Sequence, residues 1–225
     1  MYLLWMFLLC TSSQATFLFP YTTPITVIQS LTVLETPTNI SACSDVILNY
    51  CQSHWNDDLG LDESIDFRNG TYFWNKVQGH LDASQKEFNN TCDSFTIFTR
   101  CMGLYNDKCM NLFTLNQKPG TDQQNVFDYI RTIRGLNYMC GDGSLYINYK
   151  WDCLKDIPQT SAYKTCTSQF QNNVNTTNVC LSADQTGKCL DNVYSSACKT
   201  SSYGYSNFYT TFAKACTLQG KLRCY

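Results

Sequence analysis

The stretch CDSFTIFTRCMGLYNDKC, residues 92–109, holds three cysteines and an apolar spacing that decides the fold. Phe95, Phe98, Met102, Tyr105, Cys109 and Leu112 follow steps of three, four, three, four and three, which puts one apolar stripe along a helix. Cys92 and Cys101 are nine residues apart, so at ~100° per residue they point to opposite sides of that helix, ~13 Å apart along its axis. Cys101 and Cys109 share a side but lie ~12 Å apart. Bonded cysteines need Cα atoms within about 7 Å, so in a continuous helix neither pair can close on itself. Each of the three must bridge to a different helix, which predicts a bundle laced in several directions.

Helical spacing continues on both sides. Phe73, Val77, Leu81, Ser84 and Phe88 form one stripe, and Val126, Ile130, Ile133 and Cys140 form another. Tyr146, Tyr149, Cys153 and Ile157 repeat the habit, and Phe208, Phe212 and Ala215–Cys216 give a last stripe. Breaks are expected at Lys118-Pro119-Gly120, Cys140-Gly141-Asp142-Gly143 and Ile157-Pro158. Asn, Thr, Tyr and Phe are abundant, so helix propensity is middling and the helices should be short, held by tertiary contacts and disulfides. No sustained period-two alternation occurs. The expected class is all-α: a disulfide-rich bundle of short helices behind an extended or disordered N-terminal leader. Cys92, Cys101 and Cys109 are echoed 88, 88 and 89 residues later by Cys180, Cys189 and Cys198. The cysteine-rich region, residues 41–225, therefore reads as one domain or as two fused helical halves.

The chain opens MYLLWMFLLCTSSQATF, whose apolar run is too short to span a bilayer. Small residues at Ser13 and Ala15 frame a cut after Ala15, which predicts a secretory signal peptide over residues 1–15. Residues 16–40, rich in Thr with Pro20, Pro24 and Pro37, read as the extended leader; those prolines argue against a longer membrane anchor. Removing Cys10 with the signal leaves Cys43, Cys51, Cys92, Cys101, Cys109, Cys140, Cys153, Cys166, Cys180, Cys189, Cys198, Cys216 and Cys224. In a secreted chain these form a disulfide framework, and the odd one is free or joins two chains. They do not fall in the CxxC pairs of a zinc site. Sequons at Asn39, Asn69, Asn89 and Asn175 predict a glycoprotein with glycans on surface loops. A net charge of −2 and the lack of basic runs speak against nucleic acid or anionic membrane as partners.

The cysteine order resembles that of a large secreted family, expanded in nematodes, catalogued as domain of unknown function 19. CSDVILNYC resembles its opening pair, CDSFTIFTRCMGLYNDKC its central three-cysteine helix, and LNYMC its aromatic stretch ending in cysteine. Cys153 and Cys166 resemble its next two cysteines, Cys180, Cys189 and Cys198 its closing trio, and YSNFYTTF its aromatic helix. The resemblance covers residues from about Cys43 to Phe212. The segment between Cys109 and Cys140 and the extra Cys216 and Cys224 depart from it, which leaves the bridge pairing open. It implies a secreted helical fold and carries no catalytic residues.

The most chemical-looking stretch is CQSHWNDD, residues 51–58, which holds one of only two histidines. A secreted phospholipase A2 sets a histidine directly beside an aspartate, near a glycine-rich calcium loop. Here Trp55 follows His54, no cysteine doublet is present and no such loop precedes it. The residues read instead as a helix end, with Cys43 and Cys51 stapling the helix and Asp57 and Asp58 ahead of Gly60. His80 reads as a boundary residue of the next helix. LDESID lacks the frame of a calcium loop, and CGDGS lacks the G-x-S-x-G of a nucleophile elbow. Fifteen tyrosines and thirteen phenylalanines should be mostly core, while Tyr203, Tyr205, Phe208 and Tyr209 could line a recognition surface or an apolar pocket. The expected function is non-enzymatic binding of an extracellular protein or matrix component, without catalytic, metal or cofactor residues. The alternatives are a carrier of a small apolar ligand between helices and, more distantly, a hydrolase using His54.

Overall fold

A computed structural model describes residues 17–19, 21–37 and 43–218. The predicted signal peptide, Asn39 and Cys224 lie outside the described residues. Among those described there is no strand. The α-helices are α1 (Ile25–Leu34), α2 (Asp45–Asp58), α3 (Gly70–Ala83), α4 (Gln85–Met102), α5 (Asn106–Cys109), α6 (Leu112–Asn116), α7 (Gln123–Cys140), α8 (Ser144–Leu154), α9 (Ser161–Asn173), α10 (Val179–Cys198) and α11 (Tyr203–Leu218). The all-α class is as the spacing implies. No described helix is long and apolar enough to cross a membrane.

Short polar residues start several of these helices. The Ser84 side chain accepts from the Glu87 amide, with Glu87 itself three positions into α4, as in a capping box. Asp122 does the same for α7 and Thr160 for α9. Ser84 also explains one departure from the sequence reading. The stripe Phe73 to Phe88 is not one helix: α3 stops at Ala83, and Ser84 is extended at φ −169° to cap α4. Phe73, Val77, Leu81 and Phe88 are nevertheless all buried, because the two helices pack onto the same core. The stripe through residues 92–112 is likewise broken. Gly103 takes φ +47°, a conformation open to glycine, and a 3₁₀ turn at Gly103–Tyr105 separates α4 from α5. In α8 the expected face is wrong: Ile147 and Leu154 are buried, whereas Tyr149 is 82% exposed.

Six disulfides join Cys43–Cys109, Cys51–Cys101, Cys92–Cys140, Cys153–Cys198, Cys166–Cys189 and Cys180–Cys216. Cys92, Cys101 and Cys109 each reach a different partner, as the helix geometry requires. Cys43 and Cys51 do not bond each other but tie the start and the middle of the α2 segment to the α4–α5 region. The twelve described cysteines pair among themselves. The bridges fall into two sets that never cross, one within residues 43–140 and one within 153–216. Numbered within its own set, each runs first to fifth, second to fourth and third to sixth. These sets define what we call the first and second halves, with α8 leading from one to the other. One continuous hydrophobic cluster nevertheless spans both.

The leader is only partly extended. Residues 21–24 have no regular structure, but Ile25–Leu34 is helical and buries Val27, Ile28 and Leu31. Pro24 fits just ahead of α1, where a missing N–H costs nothing. The Thr- and Pro-rich composition that suggested an extended chain is outweighed by the apolar face at 27, 28 and 31.

Candidate functional site

CQSHWNDD is built as a helix end. Cys51 is spent in its bond to Cys101. His54 is exposed on α2; its Nδ1 lies 2.9 Å from the Tyr50 carbonyl and its ring centroid 4.2 Å from that of Tyr50. Trp55 and Asn56 turn inward instead. The Trp55 indole donates to Ser94 Oγ at 3.2 Å and stacks on Phe98, centroid to centroid 4.5 Å. Asn56 Nδ2 donates to the carbonyls of Asp62 and Ile65, so this side chain ties down the loop that follows α2. Asp57 and Asp58 are exposed ahead of Gly60, which takes φ +63° to end the helix. His80 Nε2 lies 3.1 Å from the Leu59 carbonyl, a boundary position between α3 and the end of α2.

In LDESID, Asp62 accepts from the Ser64 amide at 2.8 Å and its hydroxyl at 2.5 Å, which holds the carboxyl below its ordinary range. Asp66 caps the turn at Phe67–Asn69 by accepting from the Arg68 amide at 2.7 Å. Among the described residues no three His, Cys, Asp or Glu side chains group as a metal site would need.

The aromatic set at the C-terminal end divides. Tyr203 and Phe208 are buried, while Tyr205 and Tyr209 are half-buried and stack on each other at 5.2 Å. Phe208 leads to the most built-up part of the molecule, the seam where the halves meet. Through it runs the segment Phe17–Leu18–Phe19 with Tyr21, all four side chains buried. Helix α3 supplies two acceptors one turn apart. Gln78 Oε1 accepts from the Leu18 amide at 2.6 Å, and Asp82 Oδ1 accepts from the Phe17 amide at 3.3 Å. On α7, Arg131 Nη1 donates to the Tyr21 carbonyl at 2.8 Å, and its guanidinium sits 4.7 Å from the Trp74 ring and 5.2 Å from the Tyr21 ring. From α11, Asn207 Nδ2 donates to the Phe17 carbonyl at 3.4 Å.

The rings of this strap point elsewhere. Phe19 stacks on Tyr163 at 5.8 Å and meets Phe208 edge-on at 5.2 Å. Tyr21 packs on Phe170, Phe208 and Phe212. Phe17 lies against Phe88 and stacks on Trp151 at 4.8 Å. Gly135 of α7 lets the strap approach closely: a Cβ there would come within 2.9 Å of the Leu18 side-chain tip, which would have to shift. The space left among Leu18, Tyr21, Trp74, Arg131 and Asn207 is about 10 Å³, room for one water. An interhelical groove therefore exists, and the chain's own N-terminal segment fills it.

Two buried ion pairs lie in the seam. Arg131 Nε lies 3.0 Å from Asp128 Oδ1, and Arg134 Nη2 lies 2.7 Å from Glu35 Oε2. Arg134 also donates to the Thr211 carbonyl at 2.8 Å, and Glu35 Oε2 accepts from the Leu112 amide at 3.0 Å. Buried charges persist only when paired and hydrogen-bonded, and each of these is. Burial also drives tyrosines upward: Tyr163, Tyr194 and Tyr203 are all held above the usual phenol range. Sequence reasoning missed this seam because its residues lie in the leader and on six separate helices. The one visible signal was the F-L-F-P-Y run just after the predicted cut.

The sequon asparagines Asn69, Asn89 and Asn175 are exposed. On α8, Leu145 and Tyr149 lie one turn apart, 66% and 82% exposed, with Tyr146 beside them. Comparison with protein-family models, with curated proteins and with solved structures finds no match for this chain.

Proposed function

We propose that this disulfide-stabilised protein is a secreted, non-enzymatic glycoprotein that binds another extracellular protein or matrix component. The carrying observation is the outward face of α8. Leu145 and Tyr149 stand exposed at helical spacing on a scaffold pinned by disulfides on either side, Cys92–Cys140 before α8 and Cys153–Cys198 at its end. A rigid helix presenting an aliphatic and an aromatic anchor loses little entropy on docking. Six bridges suit an oxidising compartment, in keeping with secretion after a cut at Ala15. The cysteine order supports kinship with the nematode-expanded family named above. With the twelve described cysteines joined in six bridges, Cys224 is the cysteine through which two chains would join.

The test compares the secreted protein with a Leu145→Ser/Tyr149→Ser variant as baits for cross-linked extracellular proteins. Partners retained by the wild type should fall at least about tenfold with the variant while Tm stays unchanged, as expected for anchor residues. Native mass spectrometry of the deglycosylated protein separates the alternatives. A reproducible extra small-molecule mass would favour a carrier, and a hydrolytic activity abolished by His54→Ala would overturn the non-enzymatic reading.

A further inference from the structure

The three described sequons do not sit alike. Asn69 stands at the foot of α3 and Asn89 within α4, but Asn175 lies in the loop between α9 and α10. There it is wound into a turn. Its Oδ1 accepts from the Thr177 amide at 2.9 Å, the Thr177 hydroxyl at 2.8 Å and the Asn178 amide at 3.2 Å. Asn178 closes the same turn, accepting from the Asn175 amide at 2.8 Å and donating to the Asn173 carbonyl at 2.9 Å. The Asn175 Oδ1 is thus fully engaged, and Nδ2 is the side-chain atom left to carry a sugar. The turn is also the rim of a cleft of about 570 Å³, lined by residues 176–178, by Leu34 of α1 and by Val179 and Leu181 of α10. That volume falls within the ~300–1,000 Å³ of small-ligand sites. Ser30 Oγ donates to the Thr176 carbonyl at 3.3 Å, so α1 meets the turn there. The apolar shelf of the cleft is open: Leu181 is 59% exposed and Leu34 half-buried.

Thr177 both lines this cleft and holds Asn175 Oδ1. Nδ2 is bonded to the same carbon as Oδ1, so a sugar on Nδ2 starts at the cleft's edge. We propose that the first N-acetylglucosamine of an Asn175 glycan docks in this cleft over Leu181 and Leu34, bridging α1 to α10. The sugar comes from a lipid-linked diphosphate oligosaccharide: its C1–oxygen bond to phosphate breaks, an Nδ2–C1 bond forms, and the amide gives up one proton. The ring's carbon-bound hydrogens and its acetyl methyl offer an apolar face to the two leucines, while the hydroxyls stay in water. Being tethered, the sugar reaches the shelf at high effective concentration, so a weak contact suffices. The contact also falls where the disulfides give no help. Helix α1 precedes Cys43 and lies outside every loop that the six bridges close, whereas α10 is bridged at Cys180, Cys189 and Cys198. The glycan would therefore clamp a helix that no bridge encloses to one that three bridges hold.

This inference rests on the glycoprotein reading above, and the first measurement separates the two. Glycopeptide mapping of the secreted protein reads occupancy at Asn39, Asn69, Asn89 and Asn175. No sugar at any of the four would overturn that reading and this inference with it. Sugar elsewhere but not at Asn175 would overturn this inference alone. The full chain is then compared before and after enzymatic removal of its N-glycans under native conditions, in wild-type and Leu181→Ser forms. In the wild type, removal should speed amide exchange over residues 28–34 and 176–178 by about fivefold or more and lower Tm by about 2 °C. Leu181 is exposed, so the sugar-free protein should tolerate Leu181→Ser with its Tm unchanged. In that background the effect of removal on exchange should shrink to about twofold or less. Removal turns each glycosylated Asn into Asp and strips every glycan in both forms alike, so the difference between the forms isolates the contact with Leu181. Unchanged exchange after removal in the wild type, or a removal effect that Leu181→Ser leaves intact, would overturn the proposal.

Discussion

The two halves share a bridge pattern and differ in almost everything that surrounds it. In the second half, Cys180, Cys189 and Cys198 ride on one twenty-residue helix, α10. In the first, Cys92, Cys101 and Cys109 are spread over α4, a 3₁₀ turn and α5, with the break at Gly103. Both trios reach partners in the same order, although chance alone repeats a six-cysteine pairing roughly one time in 15. Connectivity is therefore kept where helical continuity is not. A bridge constrains only where two Cα atoms meet, and the chain between them can be one helix or three.

The halves also fill their cores differently. The first has α3, which packs on both α4 and α7, and a cluster in which Trp55 touches Phe73, Phe95 and Phe98. The second passes from α9 to α10 through only a short loop, with no helix between. Its aromatic wall of Tyr163, Phe170, Phe208 and Phe212 is covered instead by Phe19 and Tyr21 of the strap. The strap takes most of its backbone hydrogen bonds from the first half and gives most of its rings to the second. It is the piece that makes one core out of two bridged units.

That division can be broken in measurable ways. Arg134 joins Glu35 at the end of α1 to the Thr211 carbonyl of α11, so Arg134→Met strands a buried carboxylate between the halves. It should cost about 3–5 kcal/mol in urea unfolding, the largest single effect expected. Bridge removal should rank by loop length. Losing Cys43–Cys109, which closes 66 residues, should cost about 4 kcal/mol, and losing Cys166–Cys189, which closes 23, about 3 kcal/mol. Equal losses would mean that the shared pattern, and not loop size, sets the contribution.

Each half also contains one backbone contact that admits no side chain. A Cβ on Gly70 would lie 1.8 Å from the Asn125 carbonyl oxygen of α7, and one on Gly204 would lie 2.6 Å from the Leu190 carbonyl of α10. Gly70→Ala and Gly204→Ala should each cost about 2–3 kcal/mol, with Gly70→Ala the worse. The smallest effect is a pH dependence confined to the first half. Burial holds the Asp82 carboxyl up at about 6 in the folded state, against an ordinary value of 3.8. A carboxyl raised in the folded state binds protons better there, so its contribution is full below about pH 4 and is lost as pH rises through 6. The protein should thus lose stability between about pH 4 and 6, and Asp82→Asn should flatten that slope. The raised groups of the second half include buried tyrosines, which stay neutral across this range.

The sequence by itself determined the helical class, because apolar steps of three and four depend only on the 3.6-residue turn. It determined that Cys92, Cys101 and Cys109 must each look outward for partners, since helix rise and disulfide reach are both fixed lengths. It also placed the breaks at Pro119, Gly141 and Pro158, and it read His54 as a helix-end residue from Asp57 and Asp58 ahead of Gly60. Tertiary structure decided the rest. Ser84 and Gly103 end stripes that are continuous in sequence, because a cap and a positive φ are set by local hydrogen bonding and not by hydrophobic period. Tyr149 faces solvent, where spacing alone put it with the core face. The pairing of the twelve cysteines needed distances between helices that no spacing encodes. The strap was least legible of all. Its burial comes from Gln78, Asp82, Arg131 and Asn207, which lie 60 to 190 residues away in the chain and meet it only once both halves are folded.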